Sequence, residues 1–175
     1  NSSRALPELQ NRERVLLFTA GSGQVHTGPS SFGIEEPAML VPEPGSSCTV
    51  SSTAELSFLE LIAEFSEQDI QEMDGYSDSH PFFLSYSQCR TYREKIKSPK
   101  TINRTLLPEH IFPRLSIGSV ETEGPDKVAP HAHPMLEQLF FGLSENDCIV
   151  AADEAHTEFL ENDLLHIPLG STHSV

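Results

Sequence analysis

Pro130-His131-Ala132-His133-Pro134-Met135-Leu136-Glu137 is the stretch on which the reading of this sequence turns. In an extended strand, residues two apart point to the same face, so His131 and His133 project together. Two imidazoles on one face can share a divalent cation, each nitrogen at roughly 2.0–2.2 Å from it. Glu137 keeps the same odd-numbered parity, and a twist or bulge near Pro134 would bring its carboxylate round to the same ion. The strand then runs on through Leu139-Phe140-Phe141 to a turn at Gly142. A further ligand has to come from elsewhere, and His173 is the candidate. It follows the proline-glycine turn of Ile167-Pro168-Leu169-Gly170-Ser171-Thr172, a pattern that ends one strand and points a side chain inward at the start of the next.

These residues resemble the two motifs of the cupin family. His131, His133 and Glu137 match the metal-binding triplet of the first motif, and Pro168, Gly170 and His173 match the second in step. Departures leave the ligand positions themselves unaffected. Gly124 stands one residue further from His131 than the pattern asks, and Gly142 follows Glu137 sooner. Asn162 takes the place of a glycine, a substitution that the left-handed turn conformation tolerates. The second motif's final Asn would fall beyond Val175, which suggests missing strands or a disordered tail.

The resemblance implies an all-β fold, the double-stranded β-helix or jelly-roll barrel. It also implies one divalent transition metal, Mn, Fe, Ni, Co or Zn, held by His131, His133, Glu137 and His173. Such a nitrogen and oxygen donor set lacks thiolate and does not select among those ions. Four protein ligands on an octahedral ion leave two positions open to water, substrate or dioxygen. Relatives of this type include dioxygenases, isomerases, decarboxylases and lyases. The implied function is therefore an enzyme acting on a small oxygenated metabolite, a keto acid, sugar derivative or similar carboxylate. The alternative is a binding or sensing module without catalysis. Glu137 would be ligand and proton carrier, with His166 or Glu158 as a separate base; His166 shares the parity of Leu164 and Pro168, which would face it inward.

Working outward, residues 14–20 and 38–42 read as strands, and 56–65 leans to strand on the alternation of Leu56 and Phe58. Ser66-Glu67-Gln68-Asp69 carries an N-cap and an acidic first turn, predicting a short helix that ends by Gly75. Residues 85–97 are polar with modest helical character, and strand texture returns from Phe112. An internal echo aligns Gly45-Ser46-Ser47-Cys48-Thr49-Val50 with Gly170-Ser171-Thr172-His173-Ser174-Val175, each after an apolar run containing proline. It places Cys48 where the second copy has His173. The expected organisation is a degenerate cupin-like unit at 1–65, a partly helical connector at 66–108, and a metal-binding cupin domain at 109–175, a bicupin with one site. His26, His80 and His110 are expected at the surface, and His156 as an ion-pair partner in its acidic stretch.

Composition narrows the partners. Asp and Glu outnumber Lys and Arg by 26 to 11, for a formal charge of −15. A surface this acidic repels phosphate backbones and anionic lipid, so neither nucleic acid nor membrane is an expected partner. Arg90, Arg93, Lys95, Lys97, Lys100 and Arg104 form one basic stretch, read as a solvated connector. Cys48, Cys89 and Cys148 are odd in number and widely spaced, which suits reduced thiols and a cytoplasmic setting. No secretory signal pattern opens the sequence. Small-molecule binding is expected, with a homodimer as one way of covering exposed sheet edges.

Overall fold

The computed structural model describes residues 2–175. The described residues form sixteen strands, β1 (Ser2–Leu6), β2 (Arg12–Gly21), β3 (Gly23–Thr27), β4 (Ser30–Ile34), β5 (Ala38–Val41), β6 (Cys48–Ser52), β7 (Leu56–Glu64), then β8 (Phe82–Ser85), β9 (Arg90–Tyr92), β10 (Thr101–Leu107), β11 (Ile117–Thr122), β12 (Gln138–Phe141), β13 (Asp147–Ala152), β14 (Ala155–Leu160), β15 (Leu164–Ile167) and β16 (His173–Ser174), and one α-helix, α1 (Glu67–Gly75). The strands expected at 14–20, 38–42 and 56–65 are β2, β5 and β7. The polar stretch 85–97 differs from expectation. It forms a 3-10 turn at Tyr86–Gln88 and the short strand β9 rather than a helix.

The chain divides into two compact units, residues 1–91 with 104–119, and residues 92–103 with 120–175. This differs from the expected division at 65 and 108. The reason is packing: the helix and the residues around Phe112 complete the first unit instead of lying between two units.

In the first unit the sheet β1-β6-β3-β4 and the sheet β7-β2-β5-β8 enclose a filled interior. Leu6, Val25, Ile34, Cys48 and Val50 from one sheet meet Leu16, Phe18, Ala38 and Leu40 from the other, with Phe32, Leu56, Phe58 and Phe83 packed against them. The alternation of β2 explains why both its faces are apolar: Leu16 and Phe18 point into the barrel, while Val15 and Leu17 point away. That outer face is buried as well. Val15, Met39 and Val41 form a second core with Met73 of α1 and with Leu106, Leu107 and Phe112.

Helix α1 starts where the sequence places it. Ser66 and Asp69 cap it reciprocally, the Asp69 amide donating to Ser66 Oγ (3.3 Å) and the Ser66 amide to Asp69 Oδ2 (2.8 Å). Arg114 grips the same carboxylate at 2.6 and 2.7 Å. The guanidinium first, then the Ser66 hydroxyl, hold the Asp69 carboxyl well below the usual carboxylate range. His80 is half-buried rather than at the surface: its Nδ1 lies 2.9 Å from the Tyr76 carbonyl and its Nε2 3.0 Å from that of Ile111.

In the second unit β12 pairs with β15, and β13 pairs with both β14 and β16. Its core is smaller: Val150, Phe159 and Ile167, with Phe140, Cys148, Ala152, Leu165 and Val175 around them. Asp126 knots the entry to this unit, accepting from Thr101 Oγ1 at 2.8 Å and from the Ser98 hydroxyl. Those two hydroxyls lead the causes that lower its carboxyl to about 2.

Candidate metal centre

Main-chain pairing builds the site before any side chain is considered. His131 and His173 form an isolated antiparallel bridge. The His131 amide donates to the His173 carbonyl at 3.0 Å, and the His173 amide returns the bond at 2.8 Å. One step outward the Val128 amide donates to the Val175 carbonyl at 2.7 Å. On the other side of His173, Asp153 holds Thr172 twice, its own amide donating to the Thr172 carbonyl (2.8 Å) and its Oδ1 accepting from the Thr172 amide (3.0 Å). Asp153 sits at positive φ (51°) in the tight turn between β13 and β14, a conformation that Asp adopts more readily than most residues.

Three imidazoles converge on this framework. One ring nitrogen from each of His131, His133 and His173 lies within 4.8 Å of the other two. Ring centroids are 4.4 Å apart for His131 and His173, 5.1 Å for His131 and His133, and 5.5 Å for His133 and His173. Nitrogens sharing one ion at about 2.0–2.1 Å stand roughly 3–4 Å apart, so small side-chain rotations close the triad. Phe140 meets His173 edge-on at 5.8 Å and forms an apolar wall.

The tautomers suit ligation. His131 Nδ1 lies 2.9 Å from the Ala129 carbonyl and His173 Nδ1 lies 3.3 Å from the Ser171 carbonyl. A carbonyl oxygen accepts only, so each Nδ1 carries its hydrogen and each Nε2 keeps a lone pair for an ion. Burial lowers the His173 pKa from its ordinary value, and the neighbouring His131 and His133 add to this against the Ser171 bond. The neutral, ligating form is thus the one the site favours. The donor set therefore fits a divalent transition metal.

The other candidate residues fall elsewhere. Glu137 is exposed and is not one of the groups that close on the cluster. A turn at Pro134–Met135 resets the strand alternation, and Glu137 shares the outward parity of Leu139 rather than that of the histidines. His166 is also exposed, which corrects its expected inward direction. On β15 the inward positions are Leu165 and Ile167, and His166 pairs with the outward-facing Leu139. Glu158 pairs with Ile149 on the outside of the β13–β14 hairpin. His156, opposite Ala151, is exposed as expected. The sequence reading missed the support of the centre. The Asp153 clamp follows from a turn residue next to β13, and the carbonyls of Ala129 and Ser171 carry no side-chain signal at all.

The first unit repeats this framework with different side chains. Its strands β2 to β6 pair among themselves as β12 and β13 to β16 do: β2 with β5, and β3 with both β4 and β6. Leu6 pairs with Cys48 where the second unit pairs His131 with His173, and Thr27 faces Cys48 where Ala152 faces His173. Gly45 and Gly170 sit at matching turns with φ of 70° and 77°. The Cys48 thiol is buried, and that burial pushes its pKa up.

No protein-family model matches the sequence, and no curated protein matches it. Solved structures do match in shape. An IolB-like protein from Salmonella typhimurium LT2 superposes with a TM-score of 0.72 at 16% identity, over 99% of this chain and 73% of that one. The oxalate decarboxylase of Lactobacillus farciminis, solved as a formate complex, gives 0.69 at 14% identity over 98% and 68%. The salicylate 1,2-dioxygenase of Pseudaminobacter salicylatoxidans gives 0.56 at 11% identity over 98% and 66%. At these identities the likeness is one of fold, and that fold is the cupin jelly-roll barrel.

Proposed function

We propose that this chain is a bicupin with a single metal centre, and that it is an enzyme acting on a small oxygenated metabolite such as a keto acid, a sugar derivative or a similar carboxylate. One observation carries the reading: three imidazoles converge, and in two of them main-chain carbonyls fix the hydrogen on Nδ1. In this reading His131, His133 and His173 hold one Mn, Fe, Ni, Co or Zn ion through nitrogen. Glu137 joins them as a fourth ligand by rotating inward about the turn that precedes it. The bound ion supplies Lewis acidity toward a carbonyl or carboxylate, or a position for dioxygen. Phe140 limits water on one side of the centre, and Ala129 and Ser171 keep the imidazoles oriented. Two enzymes among the structural neighbours carry oxalate and salicylate in their names, which supports the small-carboxylate assignment.

The position of Glu158 and His166 on outer faces supports a second reading, a ligand-binding barrel in which no side-chain base assists a reaction. Three unpaired cysteines suit a reducing, cytoplasmic setting in either case. Metal analysis of the purified protein, followed by a turnover screen across keto acids and sugar acids with each metal in turn, tests the proposal. The expected result is about one equivalent of metal per chain, lost in the His131→Ala/His173→Ala double variant. Turnover should vanish with it. Protein that takes up no transition metal overturns both readings, and metal binding without turnover of any member of the screen favours the second.

A further inference from the structure

In the first unit, residues 111–114 are tied to α1 at both ends of the helix. At its start, Arg114 holds the Asp69 carboxylate through Nε at 2.6 Å and Nη2 at 2.7 Å. At its far end the tie is His80. Nδ1 of that ring faces the carbonyl of Tyr76, the C-cap of α1, at 2.9 Å, and Nε2 faces the Ile111 carbonyl at 3.0 Å. Beneath the two ties lie Met73 and Phe112, 3% and 2% exposed, in the core that covers the outer side of β2 and β5.

The ties differ in chemistry. A guanidinium keeps its charge throughout the pH range in which proteins fold, and it holds Asp69 ionised. An imidazole gains and loses its proton within that range. A carbonyl oxygen accepts and never donates, so both His80 contacts are hydrogen bonds only when both ring nitrogens carry hydrogen, which is the imidazolium. The neutral ring has one N–H. Its other nitrogen then turns a lone pair toward a carbonyl lone pair, and one bond of the two is lost. The surroundings favour the cation. Helix α1 has no basic residue in its last turn, so a positive ring on its C-cap carbonyl meets the negative end of the helix dipole. The ionisable side chains on the segments that meet at His80 are Asp74 and Tyr76 at the end of α1, Asp78 on the 3-10 turn after it, and Glu109 and His110 before Ile111. Of these only His110, its ring 6.0 Å from that of Tyr76, can add positive charge, against three carboxylates.

We infer that His80 is a pH-dependent latch on the first unit. As imidazolium it fastens the end of α1 to Ile111. As pH rises and the proton leaves, that end is held by one bond fewer, while Arg114 keeps the start of the helix fastened. The sign follows from linkage: a bond that only the protonated ring makes stabilises the fold in acid and is lost toward alkaline pH. What loosens is the cover over Met73 and Phe112.

Hydrogen exchange of the intact chain between about pH 5.5 and about pH 8, with the His80→Gln variant measured beside it at each pH, tests the latch. Comparison at equal pH cancels the intrinsic pH dependence of exchange. At the acid end, peptides covering 70–80 and 108–113 should exchange roughly tenfold more slowly in the wild type, in keeping with a hydrogen bond to a charged group. The ratio should fall toward one as pH rises. His110→Asn, a side chain that tolerates the positive φ (68°) of that position, is the control and should keep the wild-type pH dependence. Ring nitrogen spectra of the wild type labelled with nitrogen-15 histidine need no variant: His80 should carry two ring hydrogens at the acid end and one at the other. A protection ratio that does not move with pH, or a His80 ring with a single hydrogen already at the acid end, overturns the proposal.

Discussion

Two units that share a set of strand pairings carry different side chains at matching positions. The first is packed with Leu6, Leu16, Phe18, Leu40 and Cys48, and the second brings together His131, His133 and His173. The backbone bridge that joins Leu6 to Cys48 is the one that joins His131 to His173. Topology is thus indifferent to what stands at the two positions. Side-chain chemistry alone replaces a hydrophobic plug with a pair of imidazoles.

The contrast is sharpest in the energetic weight of each interior. Phe18 is fully buried, so Phe18→Ala should cost about 3–5 kcal/mol in urea unfolding, and it should do so with or without metal. A cost that depends on metal would break the distinction between the units. His173→Ala should weaken metal binding by roughly a hundredfold or more, at or above the upper end of what loss of an outer partner costs. Isothermal titration calorimetry with Zn or Mn reads this directly, and an unchanged affinity removes the centre.

Hydrogen exchange sharpens the comparison further. At metal concentrations near 100 times the dissociation constant, linkage gives about 2.7 kcal/mol. Peptides covering 128–133 and 171–175 should gain this protection, while those covering 4–8 and 46–50 should not. Equal protection in both would mean that the units are not independent in their response to metal.

Acid separates the units more gently. Asp69 in the first unit and Asp126 in the second both have carboxyl pKa values lowered in the folded state, Asp126 to about 2. A carboxyl lowered on folding stabilises fully above its unfolded value, near 3.8, and loses that contribution as pH falls through the folded value. Asp69→Asn should cost about 1.5–3 kcal/mol near neutrality, the loss of charge-assisted bonds to Arg114, and flatten the decline below pH 4 measured by chemical denaturation. The smallest effect belongs to Glu137. Because its carboxylate reaches the ion only by rotating inward, Glu137→Gln should weaken metal binding by roughly tenfold, about 1.4 kcal/mol. An affinity left unchanged in titration calorimetry would show that the carboxylate stays outside the metal centre.

Much of this was legible in the sequence. An apolar run marks β2, the alternation of Leu56 and Phe58 marks β7, Ser66 with Asp69 marks the helix start, and the Gly-Ser echo marks the matching turns at Gly45 and Gly170. The grouping of the three histidines was legible because His131 and His133 stand at strand spacing and His173 follows the Pro168–Gly170 turn. Glu137 and His166 were misdirected because parity counting assumes an unbroken strand. The turn at Pro134 resets the count for Glu137, and the inward packing of Leu165 and Ile167 decides it for His166. The strand β10 was missed because its Thr101-Ile102-Asn103-Arg104 start reads as polar connector. Both Thr101 and Asn103 are in fact buried, and their polar atoms are met by Asp126 and Lys97.

The paired amides and carbonyls of His131 and His173 have a kinetic meaning as well. Bringing together two ligands about forty residues apart ordinarily carries a loop-closure cost that grows with the logarithm of the separation. Here the folding of the sheet has already met that cost, so an ion arriving at the proposed centre would have only side-chain rotations left to complete. Capture should then be fast and limited by shedding of the ion's water. Exchange of one metal for another should follow the lifetime of the individual nitrogen bonds rather than any opening of the barrel.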